Sequence, residues 1–451
     1  MSDFSLTLVL QIKTSKIIND MAKVQQKSEK ISAFGGIFFV LDKFDSILSS
    51  VIDSHLGLRS TLIGYQYSEI IRAIFSVFCC GGDCMEDLNL YLKDVLTERP
   101  HTRVPSADTV LRGIEELATE NISYTAEKTG NVYDFNTAEK LNQLLIKLLL
   151  ATGQLTEGGA YDVDFDHQFL EADKYDSKRT YKGFDGYSPG VFTIGGLIVY
   201  LENRDGNCNV RFKQAETHRR FFEMMSSFGI HVRSFRADCG SYSEDIVKVV
   251  MEHTEKFYIR AERYAGLYEK VKRQTGWTTV EIGFQHYDVQ SFPFESFEDV
   301  KHCRLVVQRQ RKQKGEQLDL FDGEYTYRCI LTNDYEPSVR EIVEFYNLRG
   351  GKERIFDDMN NGFGWSRLPK SFMAENTVFL LLTALIRNFY KVIIQRLDVK
   401  RFGPNKTSRI KAFVFRFVSV PAKWIRTSRW YVLNIYTCNN AYADVFQTDF
   451  G

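Results

Sequence analysis

The stretch Tyr161-Asp162-Val163-Asp164-Phe165-Asp166-His167 decides how the rest of the chain is read. Acidic and apolar residues alternate with a period of two. A β-strand here places three carboxylates on one face and Tyr161, Val163 and Phe165 on the other. Like charges stacked along a face cost stability unless a cation neutralises them. From 157 to 176 there are seven acids and a single lysine, so the strand wants a metal ion or a basic partner. An EF-hand loop also begins D-x-D-x-D, but it needs Gly at its sixth position and Glu at its twelfth, where this chain has His167 and Asp173.

Downstream of this strand, residues 191–201 and 209–213 read as two strands joined by a hairpin turn at Glu202-Asn203-Arg204-Asp205-Gly206-Asn207. Residues 215–228 then read as helix, 231–237 as strand, 243–253 as helix and 256–260 as strand. That order predicts an α/β layer with an antiparallel start and a parallel continuation. Asp238 follows the 231–237 strand in Arg236-Ala237-Asp238-Cys239-Gly240-Ser241. Strand ends of this kind are where open α/β sheets hold their sites, although a helix cap is the plainer role for such an Asp.

Residues 262–335 change character, with short β-like runs at 278–284, 303–308 and 325–332 separated by polar stretches such as 308–317. Helices are expected again at 338–359 and 375–394. In the first, Tyr346, Arg349 and Glu353 stand at offsets of three, four and seven, hence on one helical face. A Tyr, an Arg and a Glu so placed can bind and orient a phosphate and hold a metal. Gly350-Gly351 within that helix costs about 1 kcal/mol per Gly relative to Ala, which predicts close approach by another backbone.

Up to about residue 150 the periodicity is helical, notably at 67–78 and 138–150. Between them, Val104-Pro105-Ser106-Ala107-Asp108-Thr109-Val110-Leu111-Arg112 reads as a turn, an N-cap and a new helix. It suits a helix-turn-helix recognition element, with an ordinary capped core helix as the alternative. Cys79, Cys80 and Cys84 cluster without a second Cys or His pair at zinc spacing, so buried thiols in a reducing cytoplasm are the expectation.

The 451 residues are 44% hydrophobic and 14% aromatic, which excludes a disordered chain and leaves room for several domains. Apolar runs such as 377–386 fall short of the ~18–20 residues of a membrane span, and lysines at 13 and 16 interrupt the opening apolar stretch, against a signal peptide. Lys plus Arg and Asp plus Glu balance at 58 each, which by itself argues against a nucleic-acid partner. The balance is uneven along the chain. Between Arg387 and Arg429 there are twelve Lys/Arg and one acid, Asp398, interleaved with Phe402, Phe413, Phe415, Phe417 and Trp424. Such a stretch suits tracking of a phosphate backbone with some base stacking. Trp277 can either wedge against a displaced base or serve as a packed aromatic.

Taken in order and spacing, these motifs resemble an insertion-sequence DDE transposase of the transposase DDE domain group 1 type. The resemblance covers most of the chain. It includes Gly81-Gly82-Asp83-Cys84-Met85-Glu86-Asp87-Leu88, the aspartate strand, the Asp238 turn, the Tyr-x2-Arg-x3-Glu helix and Asn360-Asn361-Gly362-Phe363-Gly364-Trp365. It implies an α/β fold with an RNase H-like catalytic core interrupted by a mainly β insertion. An all-α N-terminal DNA-binding region and a helical, basic C-terminal region would flank that core.

The boundaries expected are 1–155 for the N-terminal region, 156–261 and 336–396 for the two parts of the core, 262–335 for the insertion and 397–451 for the C-terminal region. The resemblance further implies a metal-binding catalytic triad of Asp164, Asp238 and Glu353, with two Mg²⁺ or Mn²⁺ ions. Tyr346 and Arg349 would be phosphate contacts, and Lys400, Arg401, Lys406, Arg409 and Lys411 further DNA contacts.

The family's first Asp is usually followed by a small residue and Thr, whereas Phe165 and Asp166 follow Asp164, so Asp162, Asp164 and Asp166 all stay open as the first ligand. Asn360 stands where a Lys is common, and Cys239 where Ser is common. The function implied is metal-dependent cleavage and strand transfer of DNA by a cut-and-paste route. The partners are terminal inverted repeats and target DNA, bound by a homodimer in the bacterial cytoplasm without a membrane or a small-molecule cofactor. The rivals are a transposase-derived DNA-binding protein and a metal-dependent nuclease without transposition.

Overall fold

The computed structural model describes residues 24–60, 62–312 and 324–448; the lysines at 13 and 16 and part of the polar run 308–317 lie outside them. The fold is mixed α/β. Its spine is built from β1 (Ile122–Thr125), β2 (Val132–Asn136), β3 (Ala160–His167), β4 (Gly190–Ile194), β5 (Leu197–Arg204), β6 (His231–Ala237), β7 (Lys256–Arg260), β8 (Thr278–Ile282), β9 (Gln285–Phe294), β10 (Cys303–Arg311) and β11 (Tyr325–Thr332). Among the described residues these form one 11-stranded sheet in the order β1-β2-β5-β4-β3-β6-β7-β11-β10-β9-β8. The acidic run is β3, in the middle of the sheet, antiparallel to β4 and parallel to β6. β7 continues in parallel beside β6, and β11 pairs antiparallel with β7. The strands of 262–335 therefore extend the same sheet.

One face of the sheet centre is apolar. Phe165, Phe192 and Phe235 point there and meet helix Gln214–Ser227, where Phe192 stacks on Phe221 at 3.9 Å between ring centroids. Asp162, Asp164, Asp166, Ser234 and Arg236 alternate onto the other face, as the period of two requires. The edge of β5 beyond its short pairing with β2 would leave backbone groups without partners. Two asparagines satisfy them: Asn142 on helix Glu139–Ala151 bonds both the N–H and the C=O of Leu201, and Asn388 on helix Met373–Arg396 does the same for Ile198. Met373–Arg396 is long and apolar enough to cross a membrane, yet 94% of its most apolar window is buried inside the fold.

Four expectations are corrected. The hairpin turn is Gly195-Gly196, both at positive φ (54° and 89°), and lies inside the run read as one strand. Two consecutive positive-φ residues fit a tight hairpin turn, and Gly supplies them without strain. Residues 202–204 continue β5, with Glu202 buried against Arg220 at 2.6 Å, and 209–213 are turns.

The N-terminal region is not all-α. β1 and β2 form a hairpin there, closed near Gly130 (φ 69°), and dock on the end of β5. The helix after Ser106, Ala107–Glu116, buries Ala107, Val110, Gly113 and Ile114. An added Cβ on Gly113 would sit 2.5 Å from Ile70, so this face is core packing. Nor is the C-terminal region purely helical: after short turns it holds a β-hairpin, Ala422–Arg426 with Tyr431–Ile435.

Finally, the 338–359 helix is broken. Val339–Asn347 gives way to a 3₁₀ turn, Leu348–Gly351, before helix Lys352–Gly362 begins. An added Cβ on Gly350 or Gly351 meets nothing within 4 Å, so close backbone approach is not the reason for the glycines. Their weak helix propensity accounts for the break.

Candidate active site

The parallel register of β3 and β6 sets Asp162 beside Ser234 and Asp164 beside Arg236. Two residues further along each chain come Asp166, near the C-terminal end of β3, and Asp238, the residue that follows β6. The three aspartates of β3 therefore have three different fates.

Asp162 accepts from Arg233 at 2.7 Å and from Ser234 at 2.8 Å. Burial alone would raise its pKa. The hydrogen bonds and the Arg233 and Arg236 charges outweigh burial and hold it below the ordinary carboxylate value. Asp164 is 9% exposed and takes a two-pronged bond from Arg236, at 2.7 and 3.1 Å. Arg236 also donates to the Phe345 carbonyl at 2.7 Å and lies 4.4 Å from the Phe345 ring centroid. This pair ties β3, β6 and helix Val339–Asn347 into one block, and its geometry offsets the cost of removing two charges from water.

Asp166 instead faces Arg349 of the 3₁₀ turn, at 2.8 Å. Burial would lower the Arg349 pKa, but Asp166 first, then Tyr346, Asp238 and Asp164, raise it above its usual value. One guanidinium thus sits in the combined field of three carboxylates. The Tyr346 hydroxyl donates to the Ala237 carbonyl at 3.2 Å, next to Asp238, and burial pushes its pKa up to about 12. Asp238 accepts the Gly240 N–H at 2.9 Å and caps a single 3₁₀ turn, Cys239–Ser241.

Of the expected triad, Asp164 and Asp238 lie on neighbouring strands, but Asp164 is committed to Arg236. Glu353 stands apart: it is exposed, on the first turn of Lys352–Gly362, and makes no hydrogen bond or ion pair among the described residues. No three His, Cys, Asp or Glu side chains converge to hold a metal among the described residues. The donor chemistry still fits a hard divalent ion, since Asp166 and Asp238 present carboxylate oxygens from adjacent strand ends. Asp166 was among the open candidates, and the signal that separates it from Asp164 is its position at the strand terminus, matching that of Asp238.

The basic residues scatter. Arg401 pairs with Asp444 at 2.7 Å and Arg409 with Asp357, while Lys400, Lys406 and Lys411 are exposed. Phe402, Phe413 and Phe417 belong to the core and Trp424 packs edge-on against Phe38, which leaves Phe415, 79% exposed, as the one interleaved aromatic free for stacking among those five. Trp277 bonds the Gln274 carbonyl at 2.9 Å under the Arg309 guanidinium at 4.0 Å, a packed aromatic.

Residues 157–389, just over half of the chain, match the family model described as transposase DDE domain. No curated protein matches the sequence. Among solved structures, the chain is loosely similar to a piggyBac transposase synaptic complex with hairpin DNA, determined by cryo-EM. The TM-score is 0.43 and the identity 11%, over 86% of this chain and 80% of that one.

Proposed function

The chain belongs to the transposase DDE domain family, and on that premise we propose that it is the transposase of a bacterial insertion sequence. In this reading it binds terminal inverted repeats as a homodimer in the bacterial cytoplasm, and cuts and rejoins DNA strands by a cut-and-paste route. The observation that carries the proposal is the place of Asp166 and Asp238 at the C-terminal ends of two neighbouring parallel strands, with Arg349 bonded to Asp166 and within the field of Asp238, and Tyr346 bonded to the carbonyl beside Asp238. Asp166 is proposed as the first ligand in preference to Asp164, whose oxygens are taken by Arg236.

Asp166, Asp238 and Glu353 would hold Mg²⁺ or Mn²⁺, two ions per site. Bound there, the metal supplies Lewis-acid activation of the attacking and leaving oxygens of a phosphodiester. The chain's own residues do the positioning. Arg349 offers a planar two-pronged donor to phosphate oxygens once Asp166 no longer needs it as a counter-charge. Tyr346 adds a hydroxyl beside Asp238. Glu353 would join the pair through a change at the Gly350-Gly351 turn, where the residue type permits a wide range of backbone angles and no other element crowds either glycine.

Substituting Asp238→Ala is expected to abolish Mg²⁺-dependent cleavage of element-end DNA while leaving DNA binding within about threefold, as read by gel shift. Cleavage at the wild-type rate would overturn the assignment. The isolation of Glu353 favours the rival reading, a transposase-derived DNA-binding protein; wild-type protein that binds ends yet never cuts them would select it. Cleavage without preference for the ends would select the nuclease.

A further inference from the structure

A second feature lies at the other end of β3. A cleft of about 890 Å³ opens between the Gly195-Gly196 turn, the start of β3 at Tyr161, the Glu353 helix, the C-terminal part of helix Met373–Arg396 and the loop reaching Arg409. Six cations line it, Arg354, Arg387, Lys391, Arg396, Lys406 and Arg409, against one acid, Asp358. Asp358 is consumed by Arg387 at 3.1 Å, with Lys391 at 3.8 Å. Burial lowers the Lys391 pKa, and the neighbouring Arg387 and Arg409 lower it further. Arg409 pairs with Asp357 and Arg396 donates to the Thr152 carbonyl at 2.6 Å, so the excess positive charge rests on Arg354 and Lys406, with Lys391 sharing Asp358, around a concave space that raises the local concentration of an anion.

The cleft connects to the carboxylates through a single turn. In Leu348–Gly351, Arg349 reaches Asp166 while Gly351 lines the cleft. Along β3, Tyr161 and Asp166 are five residues apart, about 17 Å at about 3.3 Å per residue. Tyr161 marks the far wall and Gly351 the near one, so a polyanion running from Asp166 through the cleft to its far wall is linear and about 17 Å long.

We propose that this cleft is a phosphodiester-binding site that holds the backbone of duplex DNA about five base pairs from the phosphate at Asp166 and Asp238, taking about 3.4 Å of helix axis per phosphate of a strand. The inference rests on the reading of the protein as a DNA-cutting enzyme. Lys406 and Arg409 enter as parts of a cleft formed jointly with Arg354 and Lys391, outside the basic C-terminal stretch taken alone.

The test uses full-length protein and a labelled duplex, with affinity measured from low to moderate salt. Arg354 and Lys406 are both exposed, so Arg354→Gln/Lys406→Gln is expected to fold normally. It should flatten the slope of log affinity against log salt by about 2, at about 0.9 for each phosphate that the protein no longer neutralises. Methylphosphonate substitution, scanned along a cleavable duplex, should weaken wild-type binding at a cluster centred about five base pairs from the cut, and this sensitivity should vanish in the double variant.

An unchanged slope together with an unchanged interference pattern overturns the cleft assignment. Asp238→Ala tests the catalytic reading separately, because it leaves the cleft intact. Wild-type protein that binds inorganic pyrophosphate as tightly as the duplex also overturns the proposal, by making the cleft a small-anion site.

Discussion

Two regions beside β3 handle charge in opposite ways. On the face of the sheet, Asp162 and Asp164 are each matched by a guanidinium from β6, and Asp164 forms part of a buried network with Arg236 and Phe345. At the cleft, Asp358 serves Arg387 and Lys391 and Asp357 serves Arg409, while Arg354 and Lys406 form no ion pair among the described residues. Buried charge that is fully paired is structural: its removal strands the partner. Charge left in excess has its partner elsewhere. Asp166 and Arg349 share features of both. They are paired to each other, but from the end of a strand to a 3₁₀ turn whose two glycines touch no other element.

The contrast can be broken from either side. The largest stability effect is expected at the buried Asp164–Arg236 pair. Asp164→Asn leaves the Arg236 guanidinium buried with half its partner gone and should cost about 3–5 kcal/mol in urea unfolding. A loss below about 1 kcal/mol would mean that the pair is not structural. At the cleft, Lys391→Met should change stability by less than about 1 kcal/mol, since Asp358 keeps Arg387 and a like charge is removed. The same variant should weaken DNA binding. A stability loss as large as that of Asp164→Asn would make the two regions equivalent.

Much of this was legible in the chain. The period of two at 160–167 placed the three carboxylates on one face. The strands 231–237, 256–260 and 325–332 have the bounds that their β-branched and aromatic residues predict. Other features were hidden for definite reasons. Gly195-Gly196 sits within a continuous apolar run, so its turn was masked by the strands on either side. β9 mixes Gln, His, Asp and Ser with its apolar residues and carries Pro293, and it shows no clean alternation. Asp162, Asp164 and Asp166 are alike by type and by face. Only the register with β6 reveals which of them has its oxygens taken. The cleft was legible in part: five of its six cations fall within the basic stretch 387–429, but the fold alone brings that stretch against Arg354 and the Gly195-Gly196 turn.

The central claim is that the reacting carboxylates are Asp166 and Asp238, with Asp164 in a structural role. It is tested most directly by Mg²⁺-dependent cleavage of element-end DNA by Asp166→Asn, assayed at a temperature where its circular dichroism and urea midpoint match those of the wild type. The account predicts a fall of at least about 10³-fold in cleavage rate, several kcal/mol of lost transition-state stabilisation, with unfolding unchanged. Cleavage within a few-fold of wild type by that folded variant would contradict it and return the first-ligand role to Asp164 or Asp162.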